Sequence, residues 1–140
     1  MKKLLNTAFI YAILGLVAGL YYRQMTVNYN FTGKTMLSLL HTHIFVLGMF
    51  MFLFVLLLEK NFSLTKSDLF NWFYYIYNAG LIITVGLMGV HGTLTVMGIT
   101  TGAAIAGIAG IGHIIISIGF ILFFLCLNDR VKAAAKEAKE

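Results

Sequence analysis

The chain has 140 residues and is 60% hydrophobic, with no proline, 11% charged residues, a formal net charge of +5 and a mean hydropathy of +0.91. A water-soluble domain of this size needs a polar surface, whereas here ten Lys and Arg and five Asp and Glu sit in short clusters between long uncharged stretches. The composition excludes a soluble fold and predicts an all-α integral membrane protein.

The charges divide the sequence. Between them lie uncharged runs of 19 residues (Leu4 to Tyr22), 24 residues (Thr35 to Leu58) and 60 residues (Leu69 to Asn128). A helix needs about 20 apolar residues to cross the hydrocarbon, so the runs count as one, one and two spans. The last run breaks at Gly98-Ile99-Thr100-Thr101-Gly102, whose glycines and threonines mark a turn. The predicted spans are Leu4 to Tyr22, Met36 to Leu58, Leu69 to Met97 and Gly102 to Leu127. They form a single four-helix transmembrane bundle over 1–128, and a charged tail follows over 129–140, whose Lys, Ala and Glu favour a helix in solvent.

With four spans, the two termini and the second loop share a side, and they hold Lys2, Lys3, Lys60, Lys66, Arg130, Lys132, Lys136 and Lys139. The first and third loops hold only Arg23 and Lys34. This bias places both termini in the cytoplasm and the chain, multi-pass, in the cytoplasmic membrane. Basic residues at membrane edges meet anionic lipid heads, so the net charge needs no nucleic acid as a partner. Cys126, the only cysteine, can form no internal disulfide and reads as a small apolar filler.

All four histidines, His41, His43, His91 and His113, fall within predicted spans, and no Asp, Glu, Lys or Arg does. Ionisable side chains at that depth are costly and mark a function. Each could be a neutral imidazole bonded to a neighbouring helix, but four together point toward ligation of a haem iron or a metal ion. At ~1.5 Å per residue, His41, His43 and His91 lie ~8 to 10 Å from the outer ends of their helices and His113 ~16 Å from its own. Two residues along an α-helix turn through about 200°, so the rings of His41 and His43 leave from nearly opposite faces and cannot share one ion. They serve separate partners: two haems, a haem and a second metal such as copper, or a haem and a structural hydrogen bond.

The stretch Leu39-Leu40-His41-Thr42-His43-Ile44-Phe45-Val46-Leu47-Gly48, continuing as an aromatic and methionine-rich span, resembles the His-x-His helix of the haem-copper oxidase catalytic subunit and of related nitric oxide reductases. The wider outline is similar to an uncharacterised family of small bacterial four-helix membrane proteins. The oxidase resemblance covers the second span alone and implies haem held by histidine axial ligands, one on each face of that helix. The oxidases hold copper with three further histidines, two adjacent in sequence and one followed four residues later by a tyrosine. Here no two histidines are adjacent, and the residues four after them are Phe45, Leu47, Thr95 and Ser117. No span carries a carboxylate either, so a proton-pumping oxidase made by this chain on its own is not expected. Haem b is what the resemblance carries over. The oxidase subunit is a ring of twelve helices in three four-helix arcs, and the resemblance therefore also implies a homotrimer.

The remaining residues are compatible with a macrocycle. Gly102, Ala106, Gly107, Ala109, Gly110 and Gly112 precede His113, and Gly86, Gly89 and Gly92 surround His91. Such small residues serve close helix packing, a flat ligand, or both. Arg23 and Lys34 are the cations of the outer side, and Lys34 lies seven residues, ~10 Å, above His41, within reach of haem propionates. Trp72, Phe73, Tyr74, Tyr75 and Tyr77 read as an interfacial aromatic belt, and Asn6 and Asn78 as bridges between helices. The expected function is a membrane b-type haem protein acting in electron transfer, haem handling or gas sensing, with His41, His43, His91 and His113 as ligands and Arg23 and Lys34 beside the propionates. The alternatives are a copper or zinc transporter whose path the same histidines line, or a structural or assembly protein without a cofactor.

Overall fold

In the computed structural model of the chain the described residues are 1–100 and 102–137, without the side chains of 103–106 and 109. Four helices follow one another: α1 Lys2–Asn28, α2 Leu37–Phe62, α3 Leu69–Val96 and α4 Ala103–Glu137. Each is long and apolar enough to cross a membrane, the architecture of a multi-pass membrane protein. The helices run up and down, so both termini and the α2–α3 turn lie at one end, the terminal end, and the other two connections at the distal end.

The helices stop by local backbone chemistry. In α3 the Gly98 N–H bonds Thr95 O and the Ile99 N–H bonds Leu94 O around Gly98 at φ +73°. In α1 Asn30, at φ 47°, takes the same place, with its N–H on Val27 O and the Phe31 N–H on Thr26 O. A residue in the left-handed region lets the chain turn back on the last free carbonyls of a helix. The predicted break between the third and fourth spans therefore begins at the end of α3; its Thr101 lies outside the described residues. At the terminal end Ser63 (φ 52°) closes α2 and a 3-10 turn follows over Leu64–Lys66. The Glu59 carboxylate pins that turn, accepting the Thr65 N–H at 2.8 Å and its hydroxyl at 2.6 Å.

Two boundaries differ from the sequence expectation. α1 continues past Tyr22 to Asn28, because an arginine can lay its stem along the helix and keep its charge in water, so Arg23 ends nothing. α4 passes position 128 without a break and reaches Glu137, since 129–137 hold three alanines and neither glycine nor proline. Residues 138–140 of the expected tail lie outside the described residues.

Glycines set the packing. Gly15 lies against the Phe45 ring and Gly48 against Tyr11, joining α1 to α2; Gly92 of α3 meets Leu37 of α2; Gly80, Gly112 and Gly119 join α3 to α4 at Ile116, Thr84 and Tyr77. A Cβ at any of these six would come within 2.5 to 2.9 Å of its neighbour. In a membrane, where lipid is as apolar as leucine, such close backbone approach is what holds helices together. A Cβ at Gly107 or Gly110, by contrast, would meet nothing within 4 Å among the described residues. Hydrogen bonds then tie α1 to α3: Thr7 Oγ1 with Tyr74 OH (2.6 Å), Tyr11 OH to Asn78 Oδ1 (2.7 Å) and Tyr21 OH with Thr93 Oγ1 (2.9 Å). Asn78 thus bridges helices as expected, whereas Asn6 is exposed.

The terminal half of the bundle holds an aromatic core. Phe52, Phe73 and Tyr77 are fully buried and pack with Phe123 at ring separations of 5.2 to 6.5 Å. This corrects the reading of the α3 aromatics as one belt. Trp72 and Tyr75 remain exposed, but Phe73 and Tyr77 turn with the helix into its contacts with α2 and α4. Cys126 is buried, its thiol directed at Leu64 O (3.6 Å), as a small filler would be.

Candidate functional site

The two histidines of α2 take different surroundings. His41 is half-buried on the α1 side: a Cβ at Gly19 would lie 3.9 Å from its Cβ and Cγ, and the Phe45 ring stands edge-on to it at 6.4 Å. Its Nδ1 is buried and has no partner among the described residues, and its Nε2 is 3.5 Å from Thr42 Oγ1, too long for an effective hydrogen bond. His43, half-buried, stands in a stripe with the exposed Leu39, Val46 and Phe50. Its Nδ1 lies 2.9 Å from Leu39 O. A carbonyl only accepts, so Nδ1 is the donor and the neutral ring keeps its lone pair on Nε2. Metal-ligating imidazoles are commonly oriented this way, one nitrogen tied to a carbonyl and the other left to bind.

Directly after His43, α2 changes its winding. Leu37–His43 is α-helical, so the opposite faces expected for the two rings hold, but Ile44–Phe50 forms a π-helical stretch. The Met51 N–H reaches Gly48 O and Val46 O, three and five residues back, and skips Leu47 O at four. Tyr77 OH donates to that carbonyl at 2.9 Å. The buried positions show the widening as well: Leu40, Ile44, Gly48 and Phe52 step by four three times running, twelve residues where three α-turns take about 11.

α3 and α4 carry the other two histidines. His91 lines an open cavity of ≈ 520 Å³ at the distal end with Lys34, Thr35, Met36, Ser38, Leu39 and Thr95. His113 is exposed on α4. Leu37 lies opposite Gly92, and Gly112 opposite Thr84. Counting ~1.5 Å per residue from these pairs orders the rings in depth as His91, His41, His43 and His113, with His113 deepest, and puts His43 within ~5 Å of its level. Tyr77 spans α2 and α4 below them: its hydroxyl bonds Leu47 O, four residues on from His43, and its ring meets Phe120, seven on from His113, at 5.2 Å. Thr84, at the level of Gly112, is buried with its Oγ1 unpartnered among the described residues.

Of the expected site residues, Lys34 shares a cavity with His91, whereas Arg23 is exposed on α1 and lines no part of it. Among the described residues no three His, Cys, Asp or Glu side chains gather where they could hold one metal ion. Tyr77 and Thr84 were not anticipated from sequence. The fourfold step of buried positions is the signal that could have indicated Tyr77's partner segment.

A family model described as a protein of unknown function, DUF2871, matches residues 1–130. The chain belongs to the DUF2871 family. Searches of curated proteins and of solved structures give no match. The matched stretch contains all four membrane-length helices down to Arg130, whose Nε donates to Phe62 O at 3.2 Å, so the family unit includes the α4 contact with the end of α2.

Proposed function

We propose that this chain is a b-type haem protein of the cytoplasmic membrane, with both termini in the cytoplasm, in which His43 of α2 and His113 of α4 would hold the haem iron. The observation that carries this is the His43 ring, pinned through Nδ1 to Leu39 O with Nε2 left to bind. At the distal mouth Lys34, in the cavity that His91 lines, suits a propionate. Bound haem would supply one-electron or gas-binding chemistry; the chain supplies imidazoles, apolar burial and a cation. The unoccupied sides of Gly107 and Gly110 support a further copy packing on α4, and a homotrimer of twelve helices is the assembly we propose.

A visible spectrum of protein expressed with adequate haem tests the reading. A Soret band with sharp reduced α and β bands is expected, in a particle with the mass of three chains by native mass spectrometry in mild detergent. A colourless protein would overturn the haem, and a monomer retaining full haem would overturn the trimer.

Lys34→Gln is expected to weaken haem retention and lower the midpoint potential. Oxidised haem carries one positive charge more than reduced haem, so removing a nearby cation favours the oxidised form, by on the order of 1 kcal/mol, or a few tens of millivolts. Arg23→Gln, away from the cavity, should change the potential far less in the same redox titration.

A further inference from the structure

The geometry points to Tyr77 as the positioning residue of the His-x-His segment: its hydroxyl holds the widened turn that decides which faces of α2 present His41 and His43. Buried backbone carbonyls inside a membrane must be paired. In α2 the five-back bond of Met51 leaves Leu47 O without its usual amide, and Tyr77 OH is the donor that meets it. Tyr77 is placed for this by two contacts and by its burial. Its backbone and ring lie over Gly119 of α4, Phe52 of α2 stands edge-on at 5.9 Å, and the residue is fully buried. Below the widened turn α2 is anchored by buried Phe52 and Val55.

The consequence for the histidines follows from helix geometry. The widened stretch holds about one residue more than an α-helix of the same number of turns, and one residue is about 100° of rotation. Without the widening, every residue on the distal side would move into the place of the one before it. Thr42, now exposed, would take His41's place against Gly19 of α1, and His43 would take Thr42's exposed place. The face of α2 on which His43 now stands would no longer carry it.

The test uses the 140-residue chain carrying Cys126→Ser, with one nitroxide at Thr42→Cys and, in a second sample, at Leu57→Cys, an exposed position below the turn. Tyr77→Phe removes one oxygen atom and keeps the ring over Gly119. Oxygen accessibility at position 42 is expected to fall by about half as the label rotates by about 100° toward α1, while position 57 stays unchanged. Tyr11→Phe, which removes a comparable buried bond to Asn78 but no bond to Leu47 O, should change neither label. p-Aminophenylalanine at position 77, which keeps a donor, should restore the wild-type pattern. Unchanged accessibility at position 42 in folded Tyr77→Phe, or the same change in Tyr11→Phe, would overturn the assignment. The label readout needs no cofactor, so it stands apart from the haem reading, on which only the purpose of the positioning rests. In haem-loaded protein, Tyr77→Phe should in addition lose the six-coordinate reduced bands.

Discussion

His43→Ala is expected to remove the haem spectrum, and His41→Ala to leave it in place. Losing an outer partner of a bound metal costs about 10–100-fold in affinity, and losing the ligand itself should cost on the order of 100-fold or more. His43 has the ring held by Leu39 O with Nε2 left to bind, whereas His41 is wedged between α1 and α2 with a buried, unpartnered Nδ1. Truncating His41 removes an unsatisfied polar atom, so its stability cost should be small despite the volume lost. Haem titration of the two purified variants, read at the Soret band, separates them. Equal loss of haem in both would show that the two faces of α2 do not have separate roles. His113→Ala should retain some haem but convert the reduced spectrum from six- to five-coordinate.

The second large effect concerns the helix contacts. Gly80→Ala and Gly92→Ala each place a methyl 2.6 Å from a backbone nitrogen, that of Ile116 and of Leu37 respectively. Backbone cannot swing aside as a side chain can, so the helices must separate, and overpacking of this kind costs about 1–3 kcal/mol. Thermal unfolding in detergent should show both variants destabilised. Gly86→Ala, which meets open space among the described residues, should unfold like the parent or slightly later, since alanine favours helix over glycine by about 1 kcal/mol. A Gly80→Ala protein as stable as the parent would show that α3 and α4 do not meet this closely.

Most of the fold is legible in the sequence because charge and proline are so scarce. Clusters such as Lys2-Lys3 and Glu59-Lys60 bracket apolar stretches of membrane length, and the turn at Gly98 carries the residue that a left-handed helix stop requires. Helix ends are less legible. Arg23 reads as an edge, yet a long flexible cation continues a helix as easily as it leaves one. The site is legible in residue type and not in facing. His41 and His43 are the chemistry-bearing pair, but which way each ring points depends on one widened turn, and no single residue between Ile44 and Phe50 demands it. The donor that satisfies the displaced carbonyl, Tyr77, lies 30 residues from Leu47. Its composition class, an aromatic near a helix start, points equally well to a membrane interface.

The packing of α1 on α2 and of α3 on α4, each through its own glycines and across a short connection, divides the chain into two helical hairpins. Among the described residues α1 and α4 do not touch. Each hairpin can therefore enter the bilayer and close on itself as soon as it leaves the ribosome, with contacts that are local in sequence. His41 and His43 belong to the first hairpin and His91 and His113 to the second. A ligand that bridges α2 to α3 or α4 can thus be captured only after the second hairpin docks, when Gly92 seats on Leu37 and the Tyr77 hydroxyl reaches Leu47 O. Acquisition of the proposed haem would then be the final step of biogenesis, and a chain interrupted before α3 would reach the membrane with its histidine pair present and no second wall to close over it.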